Sequence, residues 1–191
     1  MRIQNTWRDN QNSVSIEDNA IASAYLCWKI ALARAKELYI QDFDYENDEQ
    51  RVAVIREYLF FLVHVTDRLT YTTLNSEERI EYIQKLANET ARHYQRNAEE
   101  LFEPGVNHTS IYLSGLNERI KEYGTLTFEI SIPGYQMLRS FGSHLQQMMS
   151  STQSNKWVID QTIEIDAPQA VFSLSKGISS LFSSSGHSIQ E

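Results

Sequence analysis

Apolar residues recur at helical spacing along most of the chain, and one stretch dominates. Residues 51–73 read RVAVIREYLFFLVHVTDRLTYTT, with neither Gly nor Pro. At 3.6 residues per turn, Val54, Ile55, Tyr58, Leu59, Leu62, Val65 and Leu69 share one broad face. Phe60, Phe61 and Val63 lie at its edge or beyond it. A helix apolar around most of its circumference must be covered on more than one side. The stretch is therefore expected to be the central helix of an all-α, mainly helical domain. About six helices should form a bundle around it, with room for one small two-stranded β element.

The flanking pattern supplies the other helices. Residues 1–14 are polar, with Trp7 as a docking point, and are expected to be mobile. The run SIED at 15–18 looks like a helix cap, offering a side-chain oxygen to orphan amides and acids to the positive helix end. The helix it opens should run to about Gln41. Its expected buried stripe is Ile21, Ala24, Tyr25, Trp28, Leu32, Ala35 and Tyr39, with Leu26 and Ile30 on the far side. NDEQ at 47–50 has the form of a capping box for the central helix. NSEE at 75–78 caps a third helix, which Glu103, Pro104 and Gly105 should stop. The short connection predicts an antiparallel hairpin of the second and third helices. Ile80, Ile83, Ala87, Ala91, Tyr94, Ala98 and Leu101 form the apolar face of the third. Glu78, Lys85, Glu89, Arg92, Arg96 and Glu100 form its wet face.

A fourth helix begins near Thr109, with Leu113, Leu116, Ile120 and Tyr123 at helical spacing and Gly124 as a stop. Leu126, Phe128, Ile130 and Ile132 then alternate with polar residues, which suits a strand. A helix running on to Pro133 competes and is preferred, because two-stranded sheets are weak alone. The fifth helix opens at Pro133 and Gly134, with Tyr135, Leu138, Phe141, Gly142, Leu145 and Met149 on its stripe. Gly142 would admit a close neighbour. After a polar linker at 150–156, Trp157, Ile159, Ile163 and Ile165 alternate again. If both alternating segments are extended, they should pair with each other. DAP at 166–168 reads as a cap followed by a proline at the first helical position. Val171, Leu174, Ile178, Leu181 and Phe182 are the buried face of the last helix. The domain so defined is 15–182, with 183–191 a disordered tail.

Composition narrows the possible partners. A chain of 191 residues, 41% hydrophobic, makes most simply one domain burying about 70% of its unfolded surface. A net charge of −8 argues against nucleic acid or an anionic membrane surface. No window of 18 apolar residues suggests a membrane span, and the first residues lack the apolar core of a signal peptide. The cytoplasm is the expected location, so the glycosylation patterns at Asn88 and Asn107 carry no weight. Cys27 is the one cysteine. It excludes an internal disulfide and a Cys₄ or Cys₂His₂ zinc site, and its helical setting suggests an inert thiol.

Four groups of residues invite chemistry. Asp42, Asp44, Glu46 and Asp48 alternate between two helices like a calcium loop. That loop needs Gly at position 6 and Glu at 12, where this chain has Asn47 and Ala53. A solvated, capping turn is the expectation. Glu57, Glu89 and His93 would meet in the hairpin, but di-metal bundles use Glu-x-x-His pairs, and Glu89 and His93 turn away from the stripe. Met137, Phe141, His144 and Met148 form an edge that would suit haem or an apolar ligand, but no Cys-x-x-Cys-His accompanies it, and it more simply packs the core or an interface. Lastly, Glu57, His64 and Arg68 lie within about 40° of each other on the central helix, flanked by Phe60 and Phe61. Semi-buried, they must be paired. They are a site with a shifted histidine or a structural ion pair, and the second is favoured.

No phosphate loop, nucleophile elbow or ordered triad appears. No catalytic residue, metal or cofactor is assigned. The first, central and fifth helices carry apolar residues outside their stripes, and one of those second faces is expected to meet another subunit. The leading expectation is a non-enzymatic binding or protein-interaction module that self-associates as a dimer. The alternative is a small-molecule or metal site inside the bundle, enzymatic or not, at Glu57, Phe60, Phe61, His64 and Arg68.

Overall fold

The computed structural model describes residues 15–101, 106–129, 131–149 and 155–184. The start expected to be mobile at 1–14, the stop at 103–105, most of the linker and the tail from 185 lie outside the described residues. The fold is mainly α. In order come α1 (Ile16–Ile40), α2 (Asp48–Thr70), α3 (Ser76–Glu99), α4 (His108–Tyr123), β1 (Phe128–Glu129), β2 (Ile132–Pro133) and α5 (Tyr135–Met148). A 3₁₀ turn (Asn155–Trp157), α6 (Val158–Gln161), a π turn (Thr162–Asp166) and α7 (Ala167–Ser184) complete it.

Local chemistry sets the helix starts. Ser15 and Asp18 form a complete capping box, as do Asn75 and Glu78. At α2 the box is offset: the Gln50 N–H donates to Asn47 Oδ1 at 2.8 Å, but the Gln50 side chain accepts from the Glu46 N–H.

α2 is the core. Every residue from 57 to 66 is buried, polar ones included. Helices α1, α3, α4, α5 and α7 all pack on it. The Phe61 ring stacks on Phe141 of α5 at 4.3 Å and meets Tyr123 of α4 edge-on at 6.1 Å. Phe60 sits 4.9 Å from Tyr112. Such ring pairs add about 0.5–1.5 kcal/mol each beyond their buried area. α1 runs antiparallel to α2, with Cys27 opposite Thr66 at one end and Ala35 receiving the Tyr45 hydroxyl at the other. Across the α2–α3 turn, Arg79 forks onto Asp67 at 2.7 and 2.6 Å.

Two helices are rotated from their expected faces. In α1 the residues facing inward are Ala20, Ala24, Cys27, Ala31, Ala35 and Leu38. Small side chains let α2 and α3 approach closely, so this face wins over the bulkier stripe. Ile21, Tyr25, Leu32 and Tyr39, expected to be buried, are exposed. In α3, Tyr82, Leu86 and Thr90 join the expected Ala91, Tyr94 and Ala98 in the buried face, whereas Ile80 and, just past the helix end, Leu101 are exposed. The Tyr82 hydroxyl donates to Ser23 of α1 at 2.7 Å, which turns this face inward.

The alternating segments also depart from expectation. The helix preferred over 126–132 does not form. β1 and β2 make a tight antiparallel hairpin, Phe128 opposite Pro133 and Glu129 opposite Ile132, with Ser131 at φ 61° in the turn. Its partner is therefore not 157–165, which is helical. There Val158, Thr162 and Asp166 are buried at four-residue spacing, a period that the apolar alternation hides. Asp166 is not a cap, since the helix continues through it into α7. The π turn just before Pro168 makes room for a ring that an α-helix interior would reject. Gly142 does admit a neighbour: a Cβ there would lie 3.2 Å from Ile159 Cα.

Phe61→Ala should cost about 3–5 kcal/mol in urea unfolding. Ile80→Ala, on the exposed side of α3, should change stability by less than about 0.5 kcal/mol.

Candidate functional site

α2 carries the expected residues, and the fold sends each to a different partner. Glu57 is enclosed, and an isolated carboxylate there would be prohibitive. α4 supplies the answer: Arg119 Nε donates to Glu57 Oε2 at 2.9 Å and Nη2 to Oε1 at 3.4 Å. Arg56 stands 3.9 Å away, over the Phe60 ring and donating to Met148 Sδ. Burial works against the Arg119 charge, but Glu57 more than compensates and raises its pKa.

His64 is buried against the Tyr123 ring at 5.6 Å. Neither ring nitrogen has a hydrogen-bond partner among the described residues. Burial pulls its pKa down to about 4, with Arg68 and Arg79 assisting against Asp67, so the ring is neutral at pH 7. Arg68 lies over Tyr71 and Phe128 at 5.3 and 5.9 Å. Among the described residues no hydrogen bond or ion pair joins Glu57, His64 and Arg68 to one another. Phe60 and Phe61 are core rings.

A polar group missing from the sequence reading joins α4 to α5. His144 Nε2 lies 2.9 Å from Glu122 Oε2, and Ser140 Oγ donates to Glu122 Oε1. Burial pushes the Glu122 carboxyl up, but the bonds from Ser140 and His144 outweigh it and lower its pKa. The residue types are those of a hydrolase triad, but the wiring is not. In a triad the acid and the nucleophile bind opposite nitrogens of the imidazole. Here Glu122 and Ser140 share Nε2, and Nδ1 is buried with no hydrogen-bond partner among the described residues. The trio fastens two helices. Ser140 and His144 sit one turn apart in the sequence, but nothing in the sequence aligns α4 with α5.

The remaining candidates resolve into packing. Phe43 is buried, and Asn155 brackets Asp44 with two bonds of 2.9 Å to its backbone. Asp48 pairs with Arg51 at 2.8 Å. Glu57, Glu89 and His93 do not meet: Glu89 binds Arg92 at 2.7 Å, and His93 stacks on Trp28 at 5.9 Å. Among the described residues no three His, Cys, Asp or Glu side chains converge on a metal position. Met137 and Phe141 are core. Cys27 is fully buried and its thiol is pushed up to about 12 by that burial, which suppresses the reactive thiolate.

α1 leaves a row of large apolar residues exposed. Ile21, Tyr25, Leu32 and Tyr39 are 42%, 56%, 40% and 65% exposed and fall on one helix face. Leu32, Lys36 and Tyr39 continue into a cleft of about 800 Å³, whose other walls include Arg51 and Val52 of α2 and Asn97 of α3. No helix among the described residues is long and apolar enough to cross a membrane. No known protein family, curated protein or solved structure matches this chain.

Arg119→Met should cost about 3–5 kcal/mol, because it strands the Glu57 charge, and adding Glu57→Gln should restore much of that. His64 gives a pH signature. Its folded pKa lies below the ordinary 6.5, so the unfolded chain binds the extra proton between pH 6.5 and about 4. Its contribution is therefore intact above pH 6.5 and lost as pH falls to about 4. Asp166, raised to about 6 by burial, titrates there with the opposite sign. The difference between the wild type and His64→Phe isolates the histidine: His64→Phe should gain relative stability as pH falls from 6.5 to 4, by urea titration at each pH.

Proposed function

We propose that this protein is a cytoplasmic, non-enzymatic interaction module that works as a dimer, with the exposed face of α1 as its contact surface. The observation that carries the reading is the row Ile21, Tyr25, Leu32 and Tyr39. These residues repeat at helical spacing as a core stripe does, yet the described residues leave them open. Exposed apolar rows of this kind mark association sites. α2 has no free face to offer, and most of the α5 stripe is inside. That leaves α1 among the three helices with surplus apolar residues. A symmetric pair uses the same patch twice, so one row suffices.

A second reading keeps a small-molecule site in the bundle, enzymatic or not, at Glu57, Phe60, Phe61, His64 and Arg68. Its support is the pair of unpartnered nitrogens on buried His64, since such groups are rare without a purpose. A thermal-shift screen of metals and metabolites on the wild type and His64→Phe tests it: a shift lost in the variant supports it, and no shift removes it.

Light scattering after gel filtration should give about twice the 22.1 kDa chain mass. Tyr25→Glu with Leu32→Glu should return the monomer mass with an unchanged melting temperature. A wild-type mass of 22.1 kDa at the highest accessible concentration contradicts the proposal.

A further inference from the structure

The exposed row on α1 and the cleft beside it share residues. Leu32 and Tyr39 belong to both. The cleft lies along the second half of α1, while Ile21 and Tyr25 occupy the first half. Charge divides the helix the same way. Glu17 and Asp18 stand at the start; Lys29, Arg34 and Lys36 follow, with Glu37 on another face than Lys36, and Arg51 of α2 joins Lys36 in the cleft, where Asp48 also lines the wall. Arg51 is partly satisfied by Asp48, whereas no hydrogen bond or ion pair is found for Lys36 among the described residues.

We propose that the occupant of the cleft is the first half of α1 from a second copy of this chain, laid antiparallel about a twofold axis beside Trp28 and Lys29. This rests on the dimer reading above and fixes its register. Tyr25 of each copy then faces Leu32 of the other, and Ile21 faces Lys36 at the mouth of the cleft. Asp18 comes opposite Tyr39, within a turn of Lys36, so the acidic start of one helix meets the basic half of the other. The positive end of each helix also approaches the negative end of its mate. A parallel arrangement would set like charges together along the whole contact. Lys29 stands near the axis with its own counterpart, but its ammonium is drawn aside over the Tyr25 ring, 5.7 Å from the centroid. The occupant sets apolar knobs against the apolar part of the cleft wall, Leu32, Val52 and Ile55 among it, and places carboxylates beside the cations, from one symmetric operation.

Cross-linking tests the register. Within one chain, Ile21 and Lys36 are separated by about 22 Å of helix, so cysteines there cannot bridge internally. Ile21→Cys with Lys36→Cys should give a disulfide-linked dimer under mild oxidation. Ile21→Cys with Ala33→Cys, which places the second cysteine on another face, should not. Native Cys27 is buried and does not compete. Lys36→Glu should weaken the dimer about tenfold, because it turns an attraction into a repulsion at two symmetry-related places. A dimer by light scattering that forms no 21–36 cross-link, or that Lys36→Glu leaves unchanged, overturns this register while self-association stands. A monomer at every concentration overturns both.

Discussion

Everything in this fold answers to the enclosure of α2. A helix that presents Leu59, Phe60, Phe61, Leu62 and Val63 in succession has no side to give to water. Five other helices surround it, and the rings that meet there set their positions. The same enclosure traps Glu57 and His64. A buried carboxylate without a counter-charge would cost more than a small domain can spare, since total stability is only about 5–15 kcal/mol. Arg119 therefore fixes where α4 lies, and α4 in turn carries Glu122, which fastens α5 through Ser140 and His144. His64 is handled differently, by staying neutral.

α1 meets the opposite requirement. Its alanine-rich face lets it lie close against α2 and α3, and close packing of small residues recovers dispersion that a wider gap would forfeit. Choosing that face leaves the large residues of the neighbouring row outside. Ile21, Tyr25, Leu32 and Tyr39 are the exposed residues that the proposed dimer would cover. The cleft beside the row lies between the second half of α1, the start of α2 and Asn97 of α3.

Much of this was legible in the sequence where a signal was local or periodic. The capping runs placed the starts of α1 and α3, and the run of apolar residues marked α2 as central. Val171, Leu174, Ile178 and Phe182 fell on the buried face of α7 as their spacing implied. What escaped was relational. The rotation of α1 depended on a competition between a small-residue face and a bulky one, and periodicity alone rewards the bulky one. The hairpin at 128–133 needed only a turn of its own, with Ser131 in a left-handed conformation that its neighbours do not announce. The helix at 158–166 hid beneath alternation because its buried positions include Thr162 and Asp166, which a hydrophobicity pattern does not count. The position of Glu57 on a helix covered all round implies a partner, but that the partner is Arg119 depends on how α4 crosses α2.

The enclosure of α2 is open to direct measurement by native-state hydrogen exchange resolved along the chain. If α2 is sealed on every side, amides across 57–66 exchange last, and only through global unfolding, with an opening free energy equal to that from urea denaturation. Exchange of those amides through a smaller, local opening, while α3 or α7 stays protected, would contradict it.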